Sequence, residues 1–171
     1  TNAFTSVNIA TGTNIFCSGN CHLPDGRVLV TGGHTGPAHV GVTDANVFNP
    51  TTRQWTRVAS MHTPRWYPTN TTLPDGRILV TAGEINCDGC NALIPEIYSA
   101  ITNTWTELPA ASLDISYYPH MFVLPDGRVL AASSAETAIV TQTLDISAQT
   151  WSVIDTNAVD GGSAAMYLPG K

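Results

Sequence analysis

"LPDGRVLV" at residues 23–30 returns as "LPDGRILV" at 73–80 and as "LPDGRVLA" at 124–131, at intervals of 50 and 51 residues. A second marker keeps step with it. Trp55 and Trp105 each follow the repeat's Leu by 32 residues, and Trp151 follows by 27. Seven residues before each Trp stands a bulky apolar or aromatic residue: Phe48, Tyr98 and Leu144. Two linked markers in three copies define a repeat, and a period near fifty belongs to arrays of small sheets. Within one unit a first strand (about 16–23, 66–73 and 117–124) leads into the Pro-Asp-Gly turn, where Gly supplies the permissive backbone. The run "RVLVTGG" that follows is β-branched and apolar and reads as a buried second strand. "DANVFNP" and "RQWTRVA" make an outer hairpin around a polar turn, with the Trp packing between units. No helical period of useful length appears.

These units define an all-β fold, a segment of a kelch-type β-propeller. Three four-stranded blades fall at about 14–62, 63–112 and 113–156, and the first strand of a fourth is expected within 157–171. Propellers close with about four to eight blades, and open blade edges invite pairing with other chains. The partners expected are therefore the remaining blades, either as part of a longer chain or as further copies of this one. The fragment reading is the stronger, because the sequence stops where a strand should begin.

Composition removes several classes of function. Of 171 residues only 12% are charged, the net charge is −6, and Lys and Arg together number seven. With no basic run, nothing here would release counterions from a nucleic acid. The apolar runs are strand-sized and predict no membrane span. There is no G-x-S-x-G and no phosphate-cradling loop, so a hydrolase has no support. Low charge, abundant Thr and Asn and four cysteines lean towards a secreted, oxidising setting. The lack of an apolar targeting segment suits a mature secreted protein or a trimmed chain alike.

The cysteines and tyrosines carry the chemistry worth weighing. Cys17 stands six residues before Leu23, and Tyr67 stands six before Leu73. Tyr118 holds the same offset in the third unit. Taken singly, a cysteine is commonly a small buried hydrophobe and a tyrosine an inner packing residue with a bonded hydroxyl. Taken together, equivalent positions on adjacent innermost strands are neighbours around a central channel, so this thiol and phenol can meet. Cys21, on the same strand face as Cys17, would lie about 13 Å from it, beyond disulfide reach. It reads as a buried thiol. Cys87 and Cys90, in "CDGC", are best read as a local disulfide, ahead of a redox pair or half of a zinc site. The five histidines, at 22, 34, 39, 62 and 120, show no metal-ligand spacing. Arg65 is placed to pair with a carboxylate or a substrate. Arg27, Arg77 and Arg128 recur with the turn and are expected to brace its Asp: Asp25, Asp75 and Asp126 in turn order.

The segments "FCSGNCHLPDGRVLVTGGH", "RWYPTNTTLPDGRILVTAGE", "PEIYSAITNTWTELPA" and "YYPHMFVLPDGRVL" resemble the galactose oxidase and glyoxal oxidase family of radical-copper oxidases. The ordered pair of Phe-Cys-x-Gly and, one blade later, Arg-Trp-Tyr-Pro-Thr is the specific part. The resemblance implies a copper ion bound to a tyrosine that is joined, ortho to its oxygen, to a cysteine sulfur. It assigns Cys17 as the sulfur and Tyr67 as the modified copper ligand. It implies oxidation of a primary alcohol or aldehyde by O2, yielding hydrogen peroxide, with a small alcohol, aldehyde or carbohydrate as substrate. The family completes its copper site with a Tyr-His pair in a late blade and a further His near the C-terminus, and none of these has a match here. In "YYPH", Tyr118 is followed by Pro119 and only then by His120. Galactose oxidase also stacks a Trp over the crosslink from the loop that here reads "GEINCDGCN", which contains none. On these grounds the chain alone is expected to be inactive. The alternative is a non-catalytic structural or carbohydrate-binding propeller module.

Overall fold

Three times the Leu-Pro-Asp-Gly-Arg stretch closes a hairpin in the same way in the computed structural model, which describes residues 5–36, 38–135, 137–159 and 161–168. Asp25 accepts the Arg27 amide at 3.1 Å and its Nε at 2.7 Å. The matching pairs are 3.0 and 2.7 Å for Asp75 with Arg77, and 3.0 and 2.8 Å for Asp126 with Arg128. The following Gly takes a φ of 83°, 82° or 86°, which a Cβ would resist. Each turn is thus braced by its own Arg.

The turns order the chain into three antiparallel four-stranded sheets, each strand paired with its sequence neighbour. The first blade holds β1 (Gly19–His22), β2 (Val28–Thr31), β3 (Ala45–Asn49) and β4 (Gln54–Arg57). The second holds β5 (Thr69–Thr72), β6 (Ile78–Thr81), β7 (Glu96–Ser99) and β8 (Thr104–Glu107). The third holds β9 (Met121–Val123), β10 (Val129–Ala131), β11 (Ile139–Asp145) and β12 (Thr150–Val159). The only helical turn among the described residues is a single 3-10 turn at Pro109–Ala111. The seven-residue spacing before each Trp is a cross-strand register: Phe48 lies opposite Trp55, Tyr98 opposite Trp105 and Leu144 opposite Trp151.

The core lies between blades, because a strand's side chains alternate sides. Ile78 and Val80 of β6 face the first blade and join Leu23, Leu29, Val47 and Trp105 in one cluster. Leu79, between them, faces the third blade and joins Leu73, Ile97, Val129 and Leu144 in another. All three β6 residues are wholly buried, each contributing about 1.5–3 kcal/mol of hydrophobic stabilisation. Two of the three inter-blade tryptophans also make a polar tie to the blade before them. Trp105 Nε1 donates to Ala59 O at 2.7 Å, and Trp151 Nε1 donates to Ala111 O at 2.9 Å. Trp55, the equivalent residue of the first blade, has a buried Nε1 with no acceptor among the described residues.

One expectation is corrected. The inner strands start three or four residues later than the pattern suggested, so Cys17, Tyr67 and Tyr118 precede β1, β5 and β9 instead of lying within them. Their φ values of 57°, 65° and 43° are left-handed, a conformation no strand residue can hold. The opening strand expected for a fourth blade, within 157–171, falls partly outside the described residues. Residues 157–159 lengthen β12, residues 161–168 pair with no strand, and 160 and 169–171 lie outside the described residues. An extended segment needs a neighbour to complete its ladder, and none is described beyond it.

Candidate cofactor site

Backbone hydrogen bonds link the three equivalent left-handed positions from blade to blade. Tyr67 N donates to Cys17 O at 2.8 Å, and Tyr118 N donates to Tyr67 O at 3.1 Å. Tyr67 is therefore the middle member of a row, with the thiol residue on one side and a second phenol on the other. Thr69 adds a side-chain tie from the second blade to the third, donating to Pro119 O at 2.8 Å.

Arg65 holds the approach to Tyr67. Its guanidinium is wholly buried and donates to Ala82 O at 2.8 Å, Ile94 O at 2.6 Å and Glu96 Oε1 at 3.1 Å. Glu96 is equally buried and also accepts the His62 amide at 2.8 Å, His62 Nδ1 at 2.8 Å and the Thr63 amide at 3.1 Å. Burial pulls the Arg65 pKa down, and Glu96 opposes that shift. Of the two roles expected for Arg65, the structure assigns the carboxylate partner. Its backbone is pinned as well: Gly33 N donates to Arg65 O at 3.0 Å, and a Cβ on Gly32 would sit 2.2 Å from that oxygen. Gly32 is thus required by close approach as well as by its φ of 71°.

An aromatic cluster surrounds the Tyr67 ring. Trp66 is 4.4 Å away between centroids, Tyr118 meets it edge-on at 4.9 Å and 85°, and Tyr117 lies at 5.6 Å. His34 and His39 pack on Trp66 at 5.3 and 5.2 Å. The Tyr118 hydroxyl crosses towards the first blade and donates to Ser18 O at 3.3 Å, the carbonyl next in sequence to Cys17. Burial raises the Tyr118 phenol above the ordinary range, and the neighbouring Cys17 and Tyr67 raise it further. Cys17 and Cys21 are both free thiols, half-buried. Burial pushes Cys21 up to about 11 against the opposing hydrogen bonds of Thr72 and Asn70, which leaves an inert thiol.

A second polar centre went unread in the sequence. Glu84 is wholly buried and receives His39 Nδ1 at 2.6 Å, the Gly89 amide at 2.7 Å and the Tyr117 hydroxyl. Tyr117 also donates to Asp88 at 3.2 Å. His39, Glu84 and Asp88 offer ligand atoms within 4.8 Å of one another. Protein donors already satisfy Glu84, so the cluster acts as a brace for the loop beside Trp66, whose backbone pairs with that of Glu84 in both directions at 2.9 and 2.7 Å. No motif could have announced it, because His39 and Glu84 are 45 residues apart. Cys87 and Cys90 are joined in a disulfide across the tip of the same loop, with Cα atoms 5.2 Å apart.

Comparison with known proteins bears on this arrangement. No curated protein matches the sequence. Among solved structures, similarity is found to one described as a novel fungal alcohol oxidase with catalytic diversity among the AA5 family, in complex with copper. The two are 23% identical with a TM-score of 0.59, and the match covers 78% of this chain but only 28% of that one. That likeness speaks to the fold. The family model for the glyoxal oxidase N-terminus matches residues 1–159, all but the last 12 of 171. Blades, inter-blade tryptophans and the Cys17–Tyr67 row all lie within that match, and the chain belongs to the glyoxal oxidase N-terminus family.

Proposed function

We propose that this chain carries the thioether half of a copper-radical oxidase centre, with Cys17 as the sulfur and Tyr67 as the phenol that binds copper. The observation that carries the reading is the 2.8 Å backbone bond between these two left-handed positions, which sets a thiol residue beside a phenol residue on adjacent blades. The donor chemistry fits in part. A phenol oxygen suits copper(II), which also favours nitrogen donors in a tetragonal set. The family resemblance puts those nitrogens in later blades. When bound, the metal and the oxidised phenol would supply two-electron oxidation of a primary alcohol or aldehyde hydrate, with O2 taking the electrons as hydrogen peroxide. This chain's own residues orient the phenol: Cys17 O and Tyr118 N bond its backbone, while Trp66, Tyr117 and Tyr118 pack on its ring.

The remaining blades are the partner this reading requires. Trp55 supports that: its indole N–H is buried with no acceptor among the described residues, where Trp105 and Trp151 each bond the preceding blade. A carbonyl from one further blade would complete it. Secretion is part of the proposal and is supported by the Cys87–Cys90 disulfide, which persists in oxidising compartments.

The alternative, a carbohydrate-binding module, is favoured by a cleft of about 490 Å³ lined in part by Asp88, Asn91, Asp114, Tyr117 and Thr137. Such a mixture of carboxylates, amide, hydroxyls and one aromatic face suits a polyhydroxylated ligand. Intact mass of the denatured, reduced full-length protein, made with copper and followed by peptide mapping, separates the two readings. The oxidase reading expects a loss of two hydrogens that survives reduction and maps to the Cys17 and Tyr67 peptides. Full recovery of the reduced mass, with Cys17 alkylated, would reject it and leave the binding module.

A further inference from the structure

We infer that Tyr118 is a positioning residue for the Cys17–Tyr67 bond, holding the thiol segment of the first blade against the ring of the second. The inference rests on the oxidase reading above and gives Tyr118, there only a wall of the ring's enclosure, a second task on the thiol side. Its geometry is unusual for a mere packing residue. Tyr118 repeats the left-handed backbone of Cys17 and Tyr67, at φ 43°, and bonds Tyr67 O through its amide at 3.1 Å. Its ring meets the Tyr67 ring edge-on at 4.9 Å. Its hydroxyl then passes over the second blade to reach Ser18 O, 100 residues away in sequence. One side chain from the third blade thus touches both partners of the proposed bond, the ring directly and the thiol through the adjoining residue.

The bond in question forms when the Cys17 S–H and one ortho C–H of Tyr67 are lost and an S–C bond is gained. Two protons and two electrons leave, and O2, with copper as the mediator, takes them as hydrogen peroxide. Restricting the relative motion of sulfur and ring raises the rate of such a step without altering its chemistry.

Full-length protein would be prepared without copper, then given copper in air and quenched at intervals for reduced mass. Tyr118→Phe keeps the ring and removes only the hydroxyl tie. It should slow thioether formation about tenfold or more relative to wild type, with the thermal midpoint of the copper-free protein unchanged. Tyr98→Phe serves as a control, because its hydroxyl bonds Asn103 at 3.0 Å within the second blade, away from the row. Should Tyr118→Phe lower the midpoint, a slowing that exceeds that of Tyr98→Phe still supports the inference. A wild-type rate in Tyr118→Phe, or equal slowing by both variants, overturns it while leaving the oxidase reading in place. Absence of the thioether in wild type removes both.

Discussion

The two ends of the inner hairpins teach opposite lessons. At the turn end the three repeats are chemically identical: Asp25, Asp75 and Asp126 each grip the Arg two residues on, at 2.7, 2.7 and 2.8 Å. At the other end the backbone repeats, in three left-handed residues linked from blade to blade, but the side chains diverge into thiol, phenol and phenol. Repetition of backbone with divergence of side chain is how a propeller turns symmetric blades into an asymmetric site. The turn end needs only local bonds. The site end needs buried charge, close glycine contact and packing from two neighbouring blades.

The largest test of that difference is Arg65→Met. It should leave the Glu96 carboxylate buried without its cation and cost about 3–5 kcal/mol in denaturant unfolding. The Arg27–Asp25 pair at the first turn falls in the range where surface ion pairs contribute about 0–1 kcal/mol. A cost for Arg65→Met no greater than that would erase the contrast between the two ends.

A smaller effect separates the first blade from the second. Trp105→Phe loses the indole bond to Ala59 O and should cost about 1 kcal/mol beyond the packing change. Trp55→Phe loses no such bond among the described residues and in the 171-residue chain should cost measurably less. Equal costs in matched unfolding curves would mean that the Trp55 N–H has found an acceptor, as another docked blade would provide.

The smallest effect concerns pH. Burial raises the phenols of Tyr117 and Tyr118; Glu84 adds to the rise at Tyr117, and Cys17 and Tyr67 add to it at Tyr118. Because the folded values lie above the unfolded ones, near 10, their stabilisation is complete below about pH 10 and is lost as pH rises through the folded values. A spectrophotometric titration should show these two tyrosines ionising after exposed ones. Ionisation of all five tyrosines together near pH 10 would show that the aromatic row is open to water.

Much of the fold was legible because it is written in local pattern. The repeated turn, the alternating strands and the seven-residue step to each Trp all follow from interactions within one blade. The same offsets singled out Cys17 and Tyr67. The left-handed backbone that carries them could not be read, because neither Cys nor Tyr signals a positive φ as Gly does. Nor could the partners of Arg65 and His39 be read, since Glu96 and Glu84 stand 31 and 45 residues away with no periodic cue between them.

Sequence alone determined the repeat, the blade strands and which residues share an equivalent position, since these depend on the two-residue period of a strand and the chemistry of a turn. Only the tertiary structure decided that Cys17, Tyr67 and Tyr118 take a left-handed backbone ahead of their strands, that Arg65 serves Glu96, and that Glu84 braces the loop beside Trp66. Those outcomes depend on which blade packs against which, and burial then makes an unpaired charge or polar group too costly to leave alone.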